Sequence, residues 1–435
     1  MTSRTTVDGK RLLKRLDDFA KIGGTPAGGV NRQALSVEDR GSRRLLAELA
    51  LARGFRVFQD PMANLFIRRE GLFPQRPPFV IGSHLDSQPT GGRFDGALGT
   101  LAAFEVMESL EDAGIETDFP LEVVAWTNEE GSRFAPGTMG SMAFAAGAIP
   151  EAWSDLRGRD GALFVDELEA TLKALPEAEM RPLGFPITGY LELHIEQGPS
   201  LERENIPVGI VYGIQGTRWL EVRIDGQAAH AGTTALEFRR DPMAAAVAAL
   251  EPLYRSAMPG DPRARFTVGR FAVEPGSVNS IPGSVTFTVD LRHPETNAID
   301  YLEERVRQAC DNASKANGCQ SATRQIFDMP PALFSDDLLA CLDRAAASLG
   351  LKTKRMLSGA FHDALFVSRV APAAMIFVPC RDGLSHNEAE YVEPAHSIEG
   401  ARMLLAATLE AFAASAKSAA RVRLAAPIAS AGALR

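Results

Sequence analysis

The stretch Phe79–Gly114, FVIGSHLDSQPTGGRFDGALGTLAAFEVMESLEDAG, decides the fold of this chain. It opens with an apolar run that predicts a buried strand over Phe79–Ile81 and continues into a helical pattern over Gly96–Ala113. A second short apolar run, Leu121–Thr127, predicts the next buried strand. A strand, a helix and a strand in this order are typical of parallel pairing in an α/β sheet.

The same alternation extends to both sides of this stretch. Upstream, the sequence predicts helices over Arg11–Ala20 and Ser42–Gly54, the second ending at the glycine, and strands over Arg56–Phe58 and Leu65–Arg68. Downstream, it predicts a charged helical excursion over Pro150–Pro186, strands over Tyr190–Ile195 and Ala374–Val378, and helices over Asp336–Leu349 and His396–Ser415. We therefore expect one α/β domain formed by two segments, residues 1–212 and 326–435.

The character of the sequence changes near Gly213. Alternating patterns predict strands and helices in the order Trp219–Asp225, a helix opened by Asp241-Pro242, Phe266–Val273, Ser284–Asp290 and the helix Ala298–Ala316. Asp is a favoured N-cap residue and Pro a favoured first helical residue. This β-α-β-β-α order predicts an inserted α+β domain over residues 213–325.

Composition limits the class of protein. The chain has 435 residues, which favours two domains over one compact core. Hydrophobic residues make up 45% and charged residues 23%, as in an ordinary globular protein. The net charge is −9, and the sequence has no basic run or basic amphipathic segment. Nucleic-acid and membrane-surface partners are therefore not expected.

The cysteines and the N-terminus predict a cytoplasmic protein. Cys310, Cys319, Cys341 and Cys380 form no CxxC pair, which fits reduced thiols better than a disulfide framework. Residues Met1–Asp18 alternate charged and apolar side chains and lack the apolar core of a signal peptide. The sequence contains no apolar stretch long enough to span a bilayer.

Side chains that ligate metals occur at five places near predicted strand ends or in glycine turns. They are His84 with Asp86, Asp95 in the turn GGRFDG, the pair Glu129 and Glu130, His194, and His386. Metal sites need such side chains to converge on loops beside strand ends. A single histidine in such a place is more often structural. Because three of the seven histidines occur here together with acids and glycines, the joint pattern favours a metal site.

The spacing suggests roles for two of the carboxylates and leaves one choice open. Asp86, two residues after His84, is placed to accept the second ring N–H of a ligating histidine and so fix its tautomer. Glycines allow a tight turn that brings Asp95 to the mouth of the next helix, where its two oxygens can bridge two cations. Spacing does not decide which of Glu129 and Glu130 ligates and which transfers a proton.

Seven motifs in consistent order carry a resemblance to a known family. They are GSHLDSQPTGGRFDG, WTNEEGSRF, LHIEQGPSLE, AAHAGTT, VNSIPG, SGAFHDA and LSHNEAE. Together they resemble the amidase/hydantoinase/carbamoylase branch of the dinuclear zinc-peptidase-like hydrolases. That branch includes N-carbamoyl-L-amino-acid hydrolases, β-ureidopropionases and allantoate amidohydrolases. The resemblance runs from about His84 to Glu388 and covers most of the chain.

This resemblance implies a mixed-sheet α/β/α metal-hydrolase catalytic domain with an inserted α+β domain that acts as lid and dimer interface. It implies two divalent metal ions per chain, of zinc, manganese, cobalt or nickel. The implied ligand roles are His84 and His194 for one metal, Glu130 and His386 for the other, Asp95 as the bridge, Asp86 as the residue that orients His84, and Glu129 as the general base.

The resemblance also implies a set of substrate contacts. His230 matches a histidine that donates to the oxyanion or carbonyl, Asn279 and Arg292 match residues that bind the substrate carboxylate, and Gln197 and His362 match residues of the pocket. From the residues alone, Arg292 would be a surface arginine at a strand end. Likewise, Asn279 would be a turn residue before Ile-Pro.

The implied reaction is hydrolysis of a C–N bond in a small carboxylate-bearing ureido substrate, an N-carbamoyl amino acid, to amino acid, ammonia and carbon dioxide. Phe361 stands where the family usually carries a small residue, so the shape of the pocket and the exact substrate stay open. Allantoate amidohydrolase is the main alternative, and an N-acyl-amino-acid deacylase or peptidase is a more distant one. A binding or scaffold protein that lost the chemistry would not need both the ligands and Glu129. The resemblance further implies a homodimer through the inserted domain.

Overall fold

The computed structural model describes residues 6–425 of the chain. Among these described residues, 6–212, 334–356 and 361–425 belong to one compact unit, and 213–333 and 357–360 to a second. In the described range, no helix combines the length and the apolar character that crossing a bilayer requires.

The first part of the chain contains six helices and seven strands in its described residues. In chain order they are α1 (Gly9–Ala20), α2 (Val37–Ala52), β1 (Arg56–Gln59), β2 (Leu65–Arg69), β3 (Phe79–His84), α3 (Ala97–Asp112), β4 (Leu121–Trp126), α4 (Met139–Ala146), α5 (Phe164–Lys173), β5 (Glu179–Met180), β6 (Gly189–Ile195), α6 (Ser200–Arg203) and β7 (Val208–Ile214).

The remaining elements follow in the second unit and then again in the first. They are β8 (Gly216–Asp225), β9 (Ala229–His230), α7 (Pro242–Gly260), β10 (Arg265–Glu274), β11 (Ser280–Ile281), β12 (Ser284–His293), α8 (Thr296–Ala316), β13 (Gln320–Met329), β14 (Ala332–Leu333), α9 (Asp336–Leu349), β15 (Thr353–Ser358), α10 (Ala364–Val367), β16 (Ala373–Val378) and α11 (Pro394–Ala425).

The first unit is built on a mixed sheet with the strand order β7-β16-β6-β3-β4-β2-β1-β5. Its centre is parallel, because β16 pairs with β6, β6 with β3, and β3 with β4 in the same direction. On this path β7 runs antiparallel to β16, and β2 runs antiparallel to both β4 and β1, while β5 pairs with β1 in the parallel direction. The predicted parallel pairing around β3 and β4 is confirmed.

The four parallel strands are buried on both faces, which explains their nearly continuous apolar sequences. Every residue of β3, β4, β6 and β16 is buried. Helix α3 packs on β3, β4 and β6, and α11 packs on α3, β6 and β16. The predicted mixed-sheet α/β class is therefore confirmed.

The boundaries of α2 illustrate what local sequence signals decide. The helix begins at Val37, earlier than the predicted start at Ser42, because Ser36 caps it by accepting the N–H of Asp39. Gly54, predicted to end the helix, follows it with a φ of +77°. This is the left-handed conformation that glycine supplies after helix ends.

Two other segments differ from the prediction. The excursion predicted as helical over Pro150–Pro186 contains the helix α5, the two-residue strand β5 and a single 3-10 turn, and is otherwise irregular. Helix α11 continues beyond the predicted end at Ser415 to Ala425. The last residues, 426–435, lie outside the described part of the chain.

The second unit is an antiparallel sheet with the strand order β10-β12-β8-β13. Helices α7 and α8 pack against each other and against this sheet. The inward side chains of β8, Leu220 among them, alternate with exposed ones such as Arg223. Asp241 caps α7 by accepting the N–H groups of the first turn, and Pro242 is the first helical residue, as predicted.

The edge strand β13 was missed by the sequence analysis. Its residues are exposed or half-buried along their whole length, so they show no apolar alternation. The strand pairs with β8 from Gln320 to Met329. The boundary expected after residue 325 therefore falls inside a strand, and the second unit extends instead to Leu333 and includes residues 357–360.

Candidate metal centre

Four neighbouring parallel strands carry the candidate ligands at the same end. His84 is the last residue of β3 and His194 is the penultimate residue of β6, while Glu130 follows β4 and His386 follows β16. The carboxyl ends of parallel strands share one edge of a sheet, where α/β proteins bind their ligands. The strand order β16-β6-β3-β4 therefore gathers side chains that are far apart in sequence.

Main-chain carbonyls orient the rings of His84 and His194, which are each 1% exposed. The Nδ1 of His84 lies 3.0 Å from the carbonyl oxygen of Asp86, and the Nδ1 of His194 lies 3.0 Å from that of Ile195. Because a carbonyl oxygen only accepts, each Nδ1 carries a proton and each Nε2 is left to face the centre. Both Nε2 atoms are buried and form no hydrogen bond with the described residues.

The carboxylate of Asp95 faces two groups of ligands. Its Oδ1 lies 3.0 Å from the Nε2 of His194 and 3.7 Å from the Nε2 of His84. Its Oδ2 lies 3.6 Å from the Nε2 of His386. The ligand atoms of His84, Asp95 and His194 lie within 4.8 Å of one another, and so do those of Asp95, Glu130 and His386. Asp95 therefore belongs to both groups, as a bridging ligand must.

Glu130 and His386 complete the second group. The Oε2 of Glu130 is 3.2 Å from the Nε2 of His386, and it accepts a hydrogen bond of 2.8 Å from the amide of Gln88. The hydrogen bond to Glu130, together with the charges of Glu130 and then Asp95, raises the pKa of His386 to about 9 against the opposing effect of burial. Although burial opposes it, Asp95 also raises the pKa of His194 to about 9. A divalent cation would take the place of these protons.

Glu129 lies beside the ligands. Its Oε2 is 3.4 Å from the Nε2 of His84, and its side chain is 10% exposed. Burial, and then the negative charges of Asp363 and Glu130, raise the pKa of Glu129 well above its usual value. A buried carboxylate with a raised pKa is suited to take up and release a proton.

The carboxylate of Asp86 does not make the expected hydrogen bond to His84. The distance from its Oδ1 to the Nδ1 of His84 is 3.7 Å, and the main-chain carbonyl of Asp86 contacts the ring instead. The two carboxylate oxygens accept the main-chain N–H groups of Glu129 and Glu130 at 3.3 and 3.2 Å. Asp86 therefore orients His84 through its main chain and fixes the Glu129–Glu130 turn through its side chain. Burial raises the pKa of Asp86 to about 7.

These observations fit a pair of divalent cations. Buried polar atoms are nearly always hydrogen-bonded. Among the described residues, however, the Nε2 of His84 has no hydrogen-bond partner and the Nε2 of His194 faces only the carboxylate of Asp95, so a shared cation would satisfy all three groups. Imidazole nitrogens and carboxylate oxygens are donors that zinc, manganese, cobalt and nickel all accept. We use the name candidate metal centre for the five residues His84, Asp95, Glu130, His194 and His386.

A sequence profile of the peptidase family M20/M25/M40 matches residues 80–410, a region that contains the whole candidate metal centre. The chain belongs to this family. An N-carbamoyl-L-amino-acid amidohydrolase of Rhizobium meliloti is 38% identical over 404 residues, which cover 93% of this chain and 96% of that protein. A ureidoglycolate hydrolase of Oryza sativa subsp. japonica is 31% identical over 404 residues, 92% of this chain and 84% of that protein.

A solved structure extends the comparison to the fold. The crystal structure of an amidase of the hydantoinase/carbamoylase family from Burkholderia multivorans has a TM-score of 0.88 and 43% sequence identity to this chain. The match covers 94% of this chain and 98% of that one. The resemblance that the seven motifs carry is confirmed, and so is the two-domain fold of the M20/M25/M40 family.

In this M20/M25/M40 family member, Gln197 contacts the carboxylate of Asp95. Its Nε2 donates to the Oδ2 of Asp95 at 2.8 Å and to the hydroxyl of Ser385 at 3.2 Å. Its Oε1 is buried and has no hydrogen-bond partner in the described part of the chain. The amide nitrogen therefore supports Asp95, and the amide oxygen is left for a further ligand.

His362, expected in the pocket, packs against a candidate ligand. It is 1% exposed, and its ring centroid lies 4.4 Å from that of His194 in an edge-on arrangement. Burial lowers the pKa of His362 well below its usual value. This position supports the ring of His194 and gives His362 little surface for a substrate. Phe361, beside it, is half-buried.

His230 and Asn279 lie next to each other in the second unit. Residues His230 and Ser280 are paired in the small β9–β11 ladder, and the carbonyl of Asn279 accepts the N–H of Ala231 at 2.9 Å. The Nδ1 of His230 accepts the N–H of Gly232 at 3.0 Å. Neutral His230 therefore carries its proton on Nε2, which makes that atom a hydrogen-bond donor.

Arg292, also in the second unit, forms an ion pair along its own strand. Its Nε and Nη2 donate to the carboxylate of Asp290, and its Nη1 donates to the carbonyl of Gly359 at 2.6 Å. A guanidinium has five N–H donors. These contacts leave one N–H on Nη1 and one on Nη2 for another acceptor.

The sequence analysis missed three side chains that hold the candidate ligands. They are Gln88, which donates to Glu130, Ser385, which donates to Asp95 at 2.6 Å, and Glu390, which accepts the N–H of Asp95 at 3.0 Å. Gln88 and Ser385 are close in sequence to predicted ligands, and this proximity could have identified them. The role of Glu390 depends on a contact between distant loops, which spacing along the chain does not encode.

Proposed function

We propose that this chain is a hydrolase that uses two divalent metal ions to cleave a C–N bond of an N-carbamoyl amino acid. One observation carries the proposal: Asp95 stands between two ligand groups, and the carboxylate of Glu129 lies 3.4 Å from the Nε2 of His84. The N-carbamoyl-L-amino-acid amidohydrolase of Rhizobium meliloti, which aligns over almost the whole chain, supports the substrate class.

In this mechanism Glu129 transfers a proton in two steps, first from the attacking water and then to the leaving nitrogen. When bound, the two cations supply positive charge that acidifies water and polarises the ureido carbonyl. Glu129 takes the proton of the attacking water, whose oxygen forms a bond to the ureido carbon. The bond from that carbon to the amino-acid nitrogen then breaks, and Glu129 gives the proton to this nitrogen. The carbamate that remains decomposes to ammonia and carbon dioxide.

The second unit supplies substrate recognition in this proposal. The Nε2–H of His230 is the donor for the carbonyl oxygen as negative charge develops on it. Asn279 and the two remaining N–H groups of Arg292 bind the substrate carboxylate, which matches the planar fork of an arginine. Gln197 offers its free amide oxygen to the substrate, and His362 takes part by supporting the ring of His194.

A substrate screen tests the proposal. Metal-free protein is reconstituted with zinc, manganese, cobalt or nickel, and ammonia is measured with N-carbamoyl-L-amino acids, their D-enantiomers, N-carbamoyl-β-alanine, allantoate and ureidoglycolate. N-acetyl amino acids and dipeptides, followed by amine release, test the deacylase and peptidase alternatives. We expect the fastest turnover with an N-carbamoyl-L-amino acid.

The screen also separates the alternatives. If only allantoate or ureidoglycolate is turned over, the proposed substrate is wrong, but the proposed metal-dependent hydrolysis of a C–N bond stands. Absence of any turnover in every reconstituted sample, together with intact metal binding, would favour a binding or scaffold protein and overturn the proposed activity.

We propose further that the chain forms a homodimer through the second unit and works in the cytoplasm. The outer strand β10 of that unit is mostly exposed, and unpaired edges of this kind favour pairing with another chain. The four cysteines are free and buried, as expected for reduced thiols. Light scattering of the intact chain measures the oligomeric state, and a monomer at micromolar concentration would contradict the dimer.

A further inference from the structure

The segment of residues 25–43, between α1 and the second turn of α2, contacts the loops that carry the candidate ligands. It precedes residues 80–410, the region that the family profile matches, so membership of the family assigns it no role. We call this segment the N-terminal brace. Its contacts involve both buried arginine side chains and main-chain groups.

Arg32 links the brace to the centre and is buried, at 2% exposure. Its Nε donates a hydrogen bond of 2.6 Å to the carbonyl of Leu85, the residue between His84 and Asp86. Its Nη1 donates to the carbonyls of Phe19 and Ile22 at 2.8 and 3.0 Å, at the C-terminal end of α1. Among the described residues, no carboxylate lies within ion-pair distance of Arg32. The buried guanidinium therefore joins α1 to the ligand loop entirely through carbonyl oxygens.

The main chain of the brace fixes the same loop further along. The N–H of Arg32 donates to the hydroxyl of Ser87 at 2.9 Å, and the N–H of Ser87 donates back to the carbonyl of Arg32 at 2.9 Å. Val30 and Gly91 exchange two hydrogen bonds of 2.9 and 3.0 Å. The loop that leads from His84 to Asp95 is thus held at three successive points.

A second buried arginine of the brace reaches the end of β4, where the loop with Glu129 and Glu130 begins. Arg43 is 1% exposed and is paired with Asp39 at 3.0 Å. Its Nη1 donates to the carbonyl of Ala63 at 2.7 Å, and its Nη2 donates to that of Trp126 at 3.2 Å. Trp126 is the last residue of β4, shortly before Glu129.

The brace also contacts the loop that follows β16. The hydroxyl of Thr25 donates to the carboxylate of Glu388, two residues after His386. Gly29 lies so close to this loop that an added Cβ would be 2.6 Å from the Cγ of Glu388. The brace therefore contacts the loops after β3 and β16 and the last residue of β4, which leads into the loop with Glu129 and Glu130.

We infer that the N-terminal brace is a positioning element for the candidate metal centre, and that Arg32 is its main positioning residue. The inference rests on the proposed function, because it concerns how tightly the centre binds its metals. The carbonyl of Leu85 belongs to the peptide that leads into Asp86, whose own carbonyl orients His84 and whose carboxylate holds the Glu129–Glu130 turn. A shift of this peptide therefore displaces ligands of both groups at once.

The substitution Arg32→Met tests the inference, because it removes the hydrogen-bond donors and keeps most of the side-chain length. The dissociation constants of zinc and manganese ions are measured by competition with a chromophoric chelator, which needs no catalysis. Loss of partners that orient metal ligands typically weakens metal binding by about 10- to 100-fold. We expect an increase of this order in the dissociation constants, with a fall in kcat larger than any change in KM.

Arg15→Met is the matched control. Arg15 is also a nearly buried arginine, at 8% exposure, but it pairs with Glu108 of α3 at 2.6 Å and contacts none of the three ligand loops. We expect it to lower the melting temperature while the metal dissociation constants stay at the wild-type values. An equal weakening of metal binding by Arg15→Met would show a general effect of destabilisation and overturn the inference.

Ser87→Ala is a milder second variant if Arg32→Met does not fold. It removes the hydroxyl that accepts the N–H of Arg32, and we expect metal binding several-fold weaker than in the wild type. If Arg32→Met folds and binds metal with the wild-type dissociation constants, the inference is overturned. If Arg32→Met does not fold, wild-type dissociation constants in Ser87→Ala overturn it. Failure of the wild-type chain itself to bind metal would instead contradict the proposed function.

Discussion

Three non-glycine residues at the candidate metal centre adopt the left-handed backbone conformation. Asn128, Gln197 and His386 have φ angles of +54°, +56° and +54°. This conformation costs roughly 1–2 kcal/mol for an ordinary residue, and it persists where the surroundings define it fully. The amide of Asn128, for example, donates to the carbonyls of Phe134 and Pro136 at 2.8 and 3.0 Å. Glu129, the next residue, faces the centre with its Oε2 3.4 Å from the Nε2 of His84.

At the residue scale, we predict that Glu129→Gln retains its metals and loses turnover by about 10²- to 10⁴-fold, the usual contribution of a general base. The amide has nearly the same size but cannot take up the proton. Metal content and kcat of the purified variant check this prediction. Glu196→Gln is the control, because Glu196 accepts the N–H groups of Ser200 and Leu201 instead of facing the centre. Near wild-type turnover by Glu129→Gln would refute the assignment of the base.

At the scale of elements, the loop after β3 and the loop after β16 hold each other. Glu390 accepts the N–H groups of Phe94 and Asp95 at 2.9 and 3.0 Å, and the hydroxyl of Ser385 lies 3.1 Å from its other oxygen. Ser385 also donates to the carboxylate of Asp95. Gly92 makes this approach possible, because an added Cβ would lie 2.0 Å from the carboxylate of Glu390.

We therefore predict that Gly92→Ala displaces Glu390 and weakens both folding and metal binding. Overpacking of a close contact costs about 1–3 kcal/mol, and the bridging ligand loses its main-chain anchor at the same time. The measurements are the melting temperature and the zinc dissociation constant. Gly260→Ala, where no described atom lies within 4 Å of the added Cβ, is the control and should leave both unchanged. A wild-type result for Gly92→Ala would contradict this account of the two loops.

At the scale of the whole molecule, the first unit concentrates buried negative charge. The carboxylates of Asp86, Asp95 and Glu130 are buried, and Glu129 is close to them. Charges of the same sign inside a protein destabilise it unless cations compensate them. Ligands that bind only the folded state stabilise it in proportion to the logarithm of their concentration.

We predict that metal removal by a chelator lowers the melting temperature and that added metal restores it in a concentration-dependent way. At 100 times the dissociation constant, one site contributes about 2.7 kcal/mol of stability. Calorimetry at several zinc concentrations measures the effect. In Asp95→Asn, which removes the bridging charge, the rise should be much smaller. Equal melting temperatures with and without metal in the wild-type chain would argue against the proposed dinuclear centre.

The candidate ligands could be predicted because the sequence places them beside short apolar strands and glycines. The groups that hydrogen-bond to these ligands could not be predicted from the sequence. Asp86 contacts His84 through its carbonyl rather than its carboxylate, and this choice depends on the local path of the main chain. The support from Arg32 and Glu390 depends on contacts across large sequence separations.

The sequence by itself determined the α/β class, the parallel strands β3, β4, β6 and β16, the N-terminal cap of α7 and the set of metal-ligating residue types. Periodicity, capping and motif spacing are local properties, so they can be read from the sequence. Only the tertiary structure decided the strand order that gathers the ligands, the edge strand β13 and the end of the second unit at Leu333. Strand order and edge pairing arise from hydrogen bonds between distant segments, whose partners no local pattern specifies.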